Sequence, residues 1–168
     1  HSRIYAEKHL KKDEKIRNMT LHGQESNPDT VSMCKMNMVL HEISDTRIEH
    51  GDTLENPKLI DGSELIKYDR ILANFPFSED WKPSGKDKDV YGRFSYGIPP
   101  GKKKADFAFV QHMIASLNAD GMMGVVVPHG VLFRGASEKE IRKGILEHDL
   151  LEAVIGLPSA LFYGTPIP

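Results

Sequence analysis

Two acidic side chains follow predicted strands and could bind a small polar ligand. Glu25 comes two residues after the strand-like segment 19–23, and the segment 47–52 runs into Gly51-Asp52-Thr53. The carboxylate of Glu25 could accept both hydrogen bonds of a ribose diol, or it could cap the turn before the next helix. Asp52 could accept a hydrogen bond from an exocyclic amine such as that of adenine, or it could form an Asx turn. The residues alone leave both alternatives open at each position.

A third strand end carries an amide and large aromatic rings. The apolar strand 69–74 leads into Asn74, Phe75, Pro76 and Phe77. A generic loop would place small polar residues here, whereas a proline between two aromatic rings forms a rigid, flat, apolar surface. Such a surface beside one amide suits a planar heteroaromatic ligand that carries an amino group. The alternative is a proline turn whose two aromatic side chains are tucked into a core.

The segments that must position these residues alternate between strand and helix patterns. Strands are predicted at 19–23, 47–52, 69–74, 123–128 and 150–158, of which 123–128 is a continuous β-branched run. The β-branched run at 123–128 is typical of a strand that is covered on both faces. Apolar strands that alternate with helices indicate a doubly wound α/β fold, in which helices cover a parallel sheet. Such sheets bind ligands at the carboxyl ends of their strands.

The helices are predicted from apolar periodicity and from capping residues. They are expected at 3–17, from Pro28 to about Ile43, at 104–121 and at 137–148. Asn27 is predicted to cap the second helix. An apolar face of Met36, Val39, Leu40 and Ile43 is predicted to turn inward, and the methionines of 33–38 are interpreted as core residues.

The third and fourth helices have their own signals. The third is expected to bury Val110, Met113, Ile114 and Leu117 and to end at Gly121. His112 on the same helix is interpreted as a packed or solvated histidine and not as a catalytic base. Ser137 and Glu140 form a capping-box pattern at the start of the fourth helix.

Composition indicates one globular domain over residues 1–168, with 39% hydrophobic and 27% charged residues. No apolar run approaches the roughly 18–20 residues of a membrane span. The chain opens on a charged stretch without a signal peptide, and its single cysteine, Cys34, fits a reducing cytoplasm. The net charge of −2 excludes binding of nucleic acid by overall charge, so any such contact must be local.

A long basic loop is predicted at 78–104. Residues 82–104 carry a local charge of +5, from Lys82, Lys86, Lys88, Arg93 and Lys102–Lys104 against Asp87 and Asp89. Tyr91, Phe94 and Tyr96 are interleaved with them. This combination suits phosphate contacts and an unstacked base, and the alternative is a solvated surface loop.

These segments together resemble the methylation subunit of type I restriction–modification systems, among the N6-adenine DNA methyltransferases. Asn74-Phe75-Pro76-Phe77 is similar to the D/N-P-P-F/Y motif of amino methyltransferases. The wider resemblance is carried, in the expected order, by 23–41, 49–54, 69–78, 109–135 and 141–168.

The resemblance implies a Rossmann-like methyltransferase fold, S-adenosylmethionine as the cofactor and an adenine flipped out of duplex DNA as the target. Glu25 then matches the carboxylate that holds the cofactor ribose. Asp52, followed by Thr53, matches the acidic residue that contacts the cofactor's adenine ring. Asn74–Phe77 match the catalytic motif, with Asn74 also beside the cofactor. The implied protein partners are a specificity subunit, which recognises the DNA sequence, and a restriction subunit.

Two departures from the family pattern matter. Phe75 stands where the common motif has proline, so the fixed φ of proline is lost while the backbone carbonyl remains. The family's first strand and glycine-rich cofactor loop would precede His1, and the family continues beyond the final residues 165–168. We therefore expect a truncated fold that alone binds S-adenosylmethionine poorly and is inactive, because neighbouring strands lose ladder partners.

Three alternatives share part of this pattern. An amino methyltransferase that acts on RNA or on a protein glutamine has the same motif, because an amide nitrogen poses the same chemical problem. A nucleotide-binding dehydrogenase shares the ribose carboxylate, but the motif at 74–77 has no role in hydride transfer. A non-catalytic assembly module would keep the fold for subunit contacts.

Overall fold

The computed structural model describes residues 19–77, 79–82, 89–102 and 104–161. The helix predicted at 3–17 lies outside these ranges. The strands are β1 (Leu21–Glu25), β2 (Thr46–His50), β3 (Ile60–Asp61), β4 (Glu64–Leu65), β5 (Tyr68–Ala73) and β6 (Leu117–Val125). The helices are α1 (Pro28–Leu40), α2 (Asp106–Ala115), a 3-10 turn (His129–Leu132) and α3 (Ser137–Glu147). None of these described helices is long and apolar enough to cross a membrane.

The first two strands pair in parallel, as predicted for a doubly wound fold. Their register runs from Leu21 opposite Thr46 to Glu25 opposite His50. Helix α1 connects them and packs against both strands. This unit, strand–helix–strand, brings the carboxyl ends of β1 and β2 to the same edge.

Helix α1 begins where the sequence predicts, but its apolar residues do not face inward. Asn27 Oδ1 accepts hydrogen bonds from the Asp29 and Thr30 amides at 2.9 and 3.2 Å, which confirms the N-cap. Val31 is the buried residue of the helix. Leu40 is 73% exposed, and Met33, Met36 and Val39 are exposed as well. The prediction that Met36, Val39 and Leu40 form a core face was therefore wrong, since Val31 is the residue that the helix buries.

A short antiparallel hairpin, β3–β4, follows β2 and was not predicted. Asp61 pairs with Glu64 across a turn in which Gly62 has φ +59°, a conformation that favours glycine. Gly62-Ser63 forms the two-residue loop, and Gly-Ser between two short strands is a local hairpin signal, so the sequence contained the information.

Strands β5 and β6 form a third two-stranded sheet. The Tyr68 amide donates to Ser116 O at 2.8 Å at one end, and the Val126 amide donates to Ala73 O at 3.0 Å at the other. Helix α2 buries Val110 and Met113 as predicted. It ends at Ala115, and Leu117 and Gly121 belong to β6, so the prediction of a helix to Gly121 was wrong. From residue 117 onward the chain pairs with β5 and is therefore a strand.

Three further predictions about the C-terminal part were wrong. The run 123–128 is strand only as far as Val125, and it is not buried on both faces. Ala136, not Ser137, is the N-cap of α3, and no side chain of the capping box bonds the helix end. Residues 150–158 form no strand and are mostly exposed, because no described strand provides a ladder partner for them.

The described chain separates into two compact units. The first contains the residues up to Ile71 together with Ala115–Met122, and the second contains Leu72–Ile114 and the residues from Met123 onward. In the first unit Val31, Leu54 and Leu65 are buried, and His22 Nδ1 lies 3.0 Å from the Tyr68 hydroxyl. The second unit holds most of the buried apolar side chains, including those of α2 and α3.

Candidate functional site

Glu25 ends β1 and caps the chain that follows it. Its Oε1 accepts a hydrogen bond from the Asn27 amide at 2.8 Å and from the Ser26 hydroxyl at 3.2 Å. Asn27 in turn caps α1, so Glu25 and Asn27 together fix the turn from strand to helix. Within the described part of the chain, no hydrogen bond reaches Oε2 of Glu25. The carboxylate thus has both a structural bond and an acceptor oxygen to spare.

Asp52 lies beside Glu25, at the end of the neighbouring strand. The Gly51 amide donates to Glu25 O at 2.9 Å, which continues the β1–β2 ladder one residue past β2. His50 Nε2 lies 3.0 Å from Ser26 O and joins the same two turns. The structure therefore brings Glu25 and Asp52 to one edge of the sheet, and Thr53 follows directly.

Asp52 forms the Asx turn that the sequence allowed. Its Oδ1 accepts hydrogen bonds from the Leu54 and Glu55 amides at 2.7 and 2.9 Å. The side chain is exposed, and its Oδ2 accepts no hydrogen bond from the described residues. Like Glu25, Asp52 uses one oxygen for the turn and leaves the other available.

The loop after Asp52 is fixed by a residue that sequence reasoning missed. Gln24 Nε2 donates to Asn56 O at 2.9 Å, and its Oε1 accepts from the Lys58 amide at 2.8 Å. Gly51 has φ +153°, and a Cβ there would lie 3.1 Å from Lys58 Cε. Gln24 is adjacent to Glu25 in the sequence, and this adjacency was the feature that could have identified it as a residue of the site.

Asn74 lies directly after β5, in the second unit. The residue is exposed, and its carboxamide makes no hydrogen bond within the ranges that the structure describes. The preceding residue, Ala73, is bonded to Val126 at 3.0 Å, so the backbone that leads to Asn74 is fixed. A fixed backbone with an unengaged carboxamide is suited to bind a donor group of a ligand.

The two aromatic residues of the motif have different environments. Phe75 is 8% exposed and stacks on Phe109 of α2, with ring centroids 4.8 Å apart and planes 18° apart. Phe77 is 41% exposed and meets Phe75 edge-on at 5.8 Å and 86°. Pro76 between them is exposed. Phe75 thus anchors the loop, while Phe77 presents ring surface to solvent.

The basic loop contains an internal core of its own. Trp81 Nε1 donates to Pro100 O at 3.0 Å, and the Trp81 and Phe94 rings pack at 5.2 Å. Arg93 forms a buried ion pair with Asp89 at 2.8 Å, and its guanidinium lies over the Phe94 ring. Arg93 and Phe94 are therefore structural residues and not the surface contacts that the sequence suggested.

The remaining lysines of the loop divide into two sets. Lys82, Lys102 and Lys104 are exposed. Lys86, Lys88 and Lys103 lie outside the described residues. Only the first set can be assigned to a surface, and it offers positive charge to solvent.

Gln111 connects this loop to α2. Its side chain is fully buried, accepts from the Tyr96 amide at 3.2 Å and donates to Gly97 O at 2.9 Å. His112 is its neighbour on the helix. Burial, with a smaller contribution from the positive charge of Arg93, lowers the pKa of His112 to about 4. His112 is therefore neutral near pH 7, as a packed histidine.

A buried charge cluster fixes the segment after β6. Arg134 Nη1 donates to Asp106 at 2.7 Å and to Glu138 at 3.2 Å, which ties the starts of α2 and α3 together. The hydrogen bond that Arg134 donates to Asp106 is the main reason why the pKa of Arg134 is raised. Arg142 donates to Arg134 O at 2.7 Å. Arg134 and Glu138 are four residues apart, but no local sequence pattern indicates the contact with Asp106, 28 residues away.

The chain also matches a known protein family. The sequence profile of N-6 DNA methylase matches residues 3–168. The chain belongs to the N-6 DNA methylase family. The resemblance inferred from the motif at 74–77 and the ordered segments is thereby confirmed.

Two type I restriction enzyme methylase subunits are similar to this chain. The chain is 39% identical over 163 residues to the type I restriction enzyme MjaVIII methylase subunit of Methanocaldococcus jannaschii, covering 90% of this chain and 27% of that protein. It is 37% identical over 157 residues to the HindI methylase subunit of Haemophilus influenzae, covering 91% and 34%.

A solved structure shows the same fold. It is the methyltransferase subunit of the type I restriction–modification system from Streptococcus thermophilus, with a TM-score of 0.80 and 38% identity over 89% of this chain. This match confirms the predicted α/β methyltransferase fold. The chain spans about a third or less of the length of these relatives.

Proposed function

We propose that this chain carries the cofactor-binding and target-binding residues of a DNA adenine N6-methyltransferase of a type I restriction–modification system. The observation that carries the proposal is the exposed carboxamide of Asn74, which is unengaged among the described residues and stands before a buried phenylalanine and an exposed one. Membership of the N-6 DNA methylase family supports the reaction class.

The motif suits the chemistry of an exocyclic amine. The adenine amino nitrogen is a poor nucleophile because its lone pair is delocalised into the ring. Asn74 Oδ1 and the backbone oxygen of Phe75 each accept one amino hydrogen, which favours a pyramidal nitrogen with a localised lone pair. The residues contribute positioning and electrostatic stabilisation, without a covalent intermediate on the protein.

Phe77 is the stacking partner for the target base in this proposal. A base inside a duplex is out of reach, so the adenine must be flipped out of the helix. The exposed ring of Phe77 offers a face on which the extruded base can stack, a contact worth about 1–3 kcal/mol.

S-adenosylmethionine is the proposed methyl donor, and it supplies a methyl group on a positively charged sulfur. The test of fit is the pair of spare oxygens at the β1–β2 edge, Glu25 Oε2 and Asp52 Oδ2. A ligand with a ribose diol and an adenine amine presents donors to both carboxylates. Thr53 and Asn74 complete the set of residues assigned to the cofactor.

Duplex DNA and the other subunits of a type I system are the proposed partners. The exposed Lys82, Lys102 and Lys104 support contacts to phosphates. Replacing Lys102 and Lys104 by alanine should reduce the slope of log K against log salt by about 0.9 for each lost phosphate contact. Lys139→Ala, an exposed lysine of α3, is the control, and an unchanged slope in the double variant would remove these lysines from the DNA surface.

The decisive experiment replaces Asn74 by alanine in the assembled methylase. Transfer of a labelled methyl group to duplex DNA should fall about 100-fold to 1000-fold, with a far smaller change in cofactor affinity. Asn37→Ala, an exposed asparagine of α1, is the matched control. Full activity of the Asn74 variant, or transfer to RNA or to a protein glutamine instead of DNA, would contradict the proposal.

A further inference from the structure

The motif at 74–77 lacks a proline where related motifs have one. A proline ring fixes φ, and so it helps to place the carbonyl oxygen of its own residue. Phe75 has no such restriction, although the proposed function requires its backbone oxygen to accept an amino hydrogen of the target base. Something else in the protein must hold this backbone, if the proposed function is correct.

The structure provides a candidate in Phe109. Its ring stacks almost parallel on Phe75, at 4.8 Å and 18°, and Phe75 is buried in this contact. Phe109 lies in the middle of α2, between the buried residues Ala108 and Val110. Because Phe109 extends from a well-packed helix, the position of its ring is restricted. Phe75 stacks on this ring, so the helix also restricts the position of the loop at residue 75.

The same contact also orients Phe77. The Phe77 ring meets the edge of Phe75 at 5.8 Å and 86°, so its direction depends on where Phe75 lies. The three rings form a series from the helix to the solvent, in the order Phe109, Phe75, Phe77. Displacement of the first ring would move both the acceptor oxygen of Phe75 and the stacking face of Phe77.

We propose that Phe109 is a positioning residue, whose ring holds Phe75 in the backbone conformation that a proline would otherwise fix. This inference rests on the proposed function of the motif. Phe109 touches neither the base nor the cofactor in this scheme, and it acts only through Phe75. Related motifs restrict the backbone at this position through the covalent ring of proline, and here the packing of Phe75 on Phe109 restricts it instead.

The test compares single-turnover methyl transfer in the assembled methylase. Phe109→Leu keeps an apolar side chain but removes the flat ring, and it should slow transfer at least about tenfold, since small misplacements cost up to about 100-fold. The dissociation constant for S-adenosylmethionine should stay within about twofold, because the affected step is the placement of the base. Phe109→Tyr keeps the ring and should restore the rate.

Phe107→Leu is the matched control. Phe107 is also buried on α2, and it forms no aromatic ring pair with any described residue. The substitution should destabilise the protein to a similar degree without slowing transfer. If Phe107→Leu slows transfer as much as Phe109→Leu, the role of Phe109 is general packing and the inference is wrong.

A double-mutant cycle isolates the proposed exchange of constraints. In a Phe75→Pro background, the additional change Phe109→Leu should slow transfer by less than about twofold, because proline no longer needs the ring. The same tenfold loss in both backgrounds would overturn the inference. Should Phe109→Leu fail to fold, Phe75→Leu breaks the same stack from the other side, and a normal rate there would equally overturn it.

The two proposals fail in different ways. If Asn74→Ala leaves transfer to DNA unchanged, the motif is not catalytic and the proposed function falls. If Asn74→Ala abolishes transfer while Phe109→Leu and Phe75→Leu are as fast as the unaltered enzyme, only the role of Phe109 is refuted.

Discussion

The residues at the β1–β2 edge and those of the motif at 74–77 are held by different kinds of interaction. Glu25 and Asp52 are fixed by hydrogen bonds from backbone amides in turns, while Asp52 remains exposed. Phe75 is fixed by ring stacking in a buried environment. The first arrangement leaves charged oxygens free for a polar ligand, and the second gives a loop a defined conformation.

This difference matches the proposed tasks of the two regions. A ribose and an adenine amine are recognised by hydrogen-bond acceptors, which can adjust slightly in solvent. Activation of an amine requires acceptors at fixed places, and rigid packing provides that more reliably than exposed turns. The two regions should therefore respond differently to substitution, in stability and in function.

The largest expected effect separates the two phenylalanines of the motif. Phe75→Ala removes a buried, stacked ring and should lower the free energy of unfolding by about 3–5 kcal/mol. Phe77→Ala removes a ring that is 41% exposed and should cost about 1 kcal/mol or less. Urea denaturation of the chain measures both. Equal costs would contradict the division into an anchor and a presented ring.

The pH dependence of stability tests the environment of His112 on α2, the helix that anchors the motif at 74–77 through Phe109. The pKa of His112 is about 4 in the folded chain, against 6.5 in the unfolded chain. Between these values the unfolded chain binds a proton that the folded chain does not. The free energy of unfolding should thus decrease as the pH falls from 6.5 to 4, by up to about 3 kcal/mol from this group.

The variant His112→Gln should lack this part of the pH dependence. Denaturation series at several pH values give the difference between this variant and the unaltered chain. Identical slopes for His112→Gln and the unaltered chain would mean that His112 titrates normally.

Local sequence signals predicted the parts of the fold that depend on local chemistry. Asn27 caps α1 as expected, and β5 ends at the motif. Asp52 forms an Asx turn, one of the two alternatives that its residue type allowed. The alternation of strands and helices sufficed for the fold class. The roles of Glu25, Asp52, Thr53 and Asn74–Phe77 in catalysis and cofactor binding stay predictions.

The failures have a common physical cause, which is dependence on distant partners. Helix α2 ends at Ala115 because the following residues pair with β5. The paired residues are 48 to 53 positions apart in the chain, and periodicity within α2 does not encode such a contact. Residues 150–158 have strand composition but no described strand beside them. Arg93 has the charge of a phosphate ligand, but its guanidinium forms a buried ion pair with Asp89, four residues before it.

The smallest expected effect on stability belongs to Glu25. In Glu25→Gln the amide oxygen can still accept from the Asn27 amide and the Ser26 hydroxyl, so the free energy of unfolding should change by less than about 0.5 kcal/mol. The second oxygen and the negative charge are lost, and hydrogen bonds to charged groups contribute about 1.5–3 kcal/mol. Affinity of the assembled methylase for S-adenosylmethionine should therefore fall at least about tenfold by calorimetry. Glu64→Gln, an exposed glutamate of β4, should change neither quantity. An unchanged affinity for Glu25→Gln would mean that Glu25 only stabilises its turn. The contrast between a ligand-binding β1–β2 edge and a packed catalytic loop would then lose its support at Glu25.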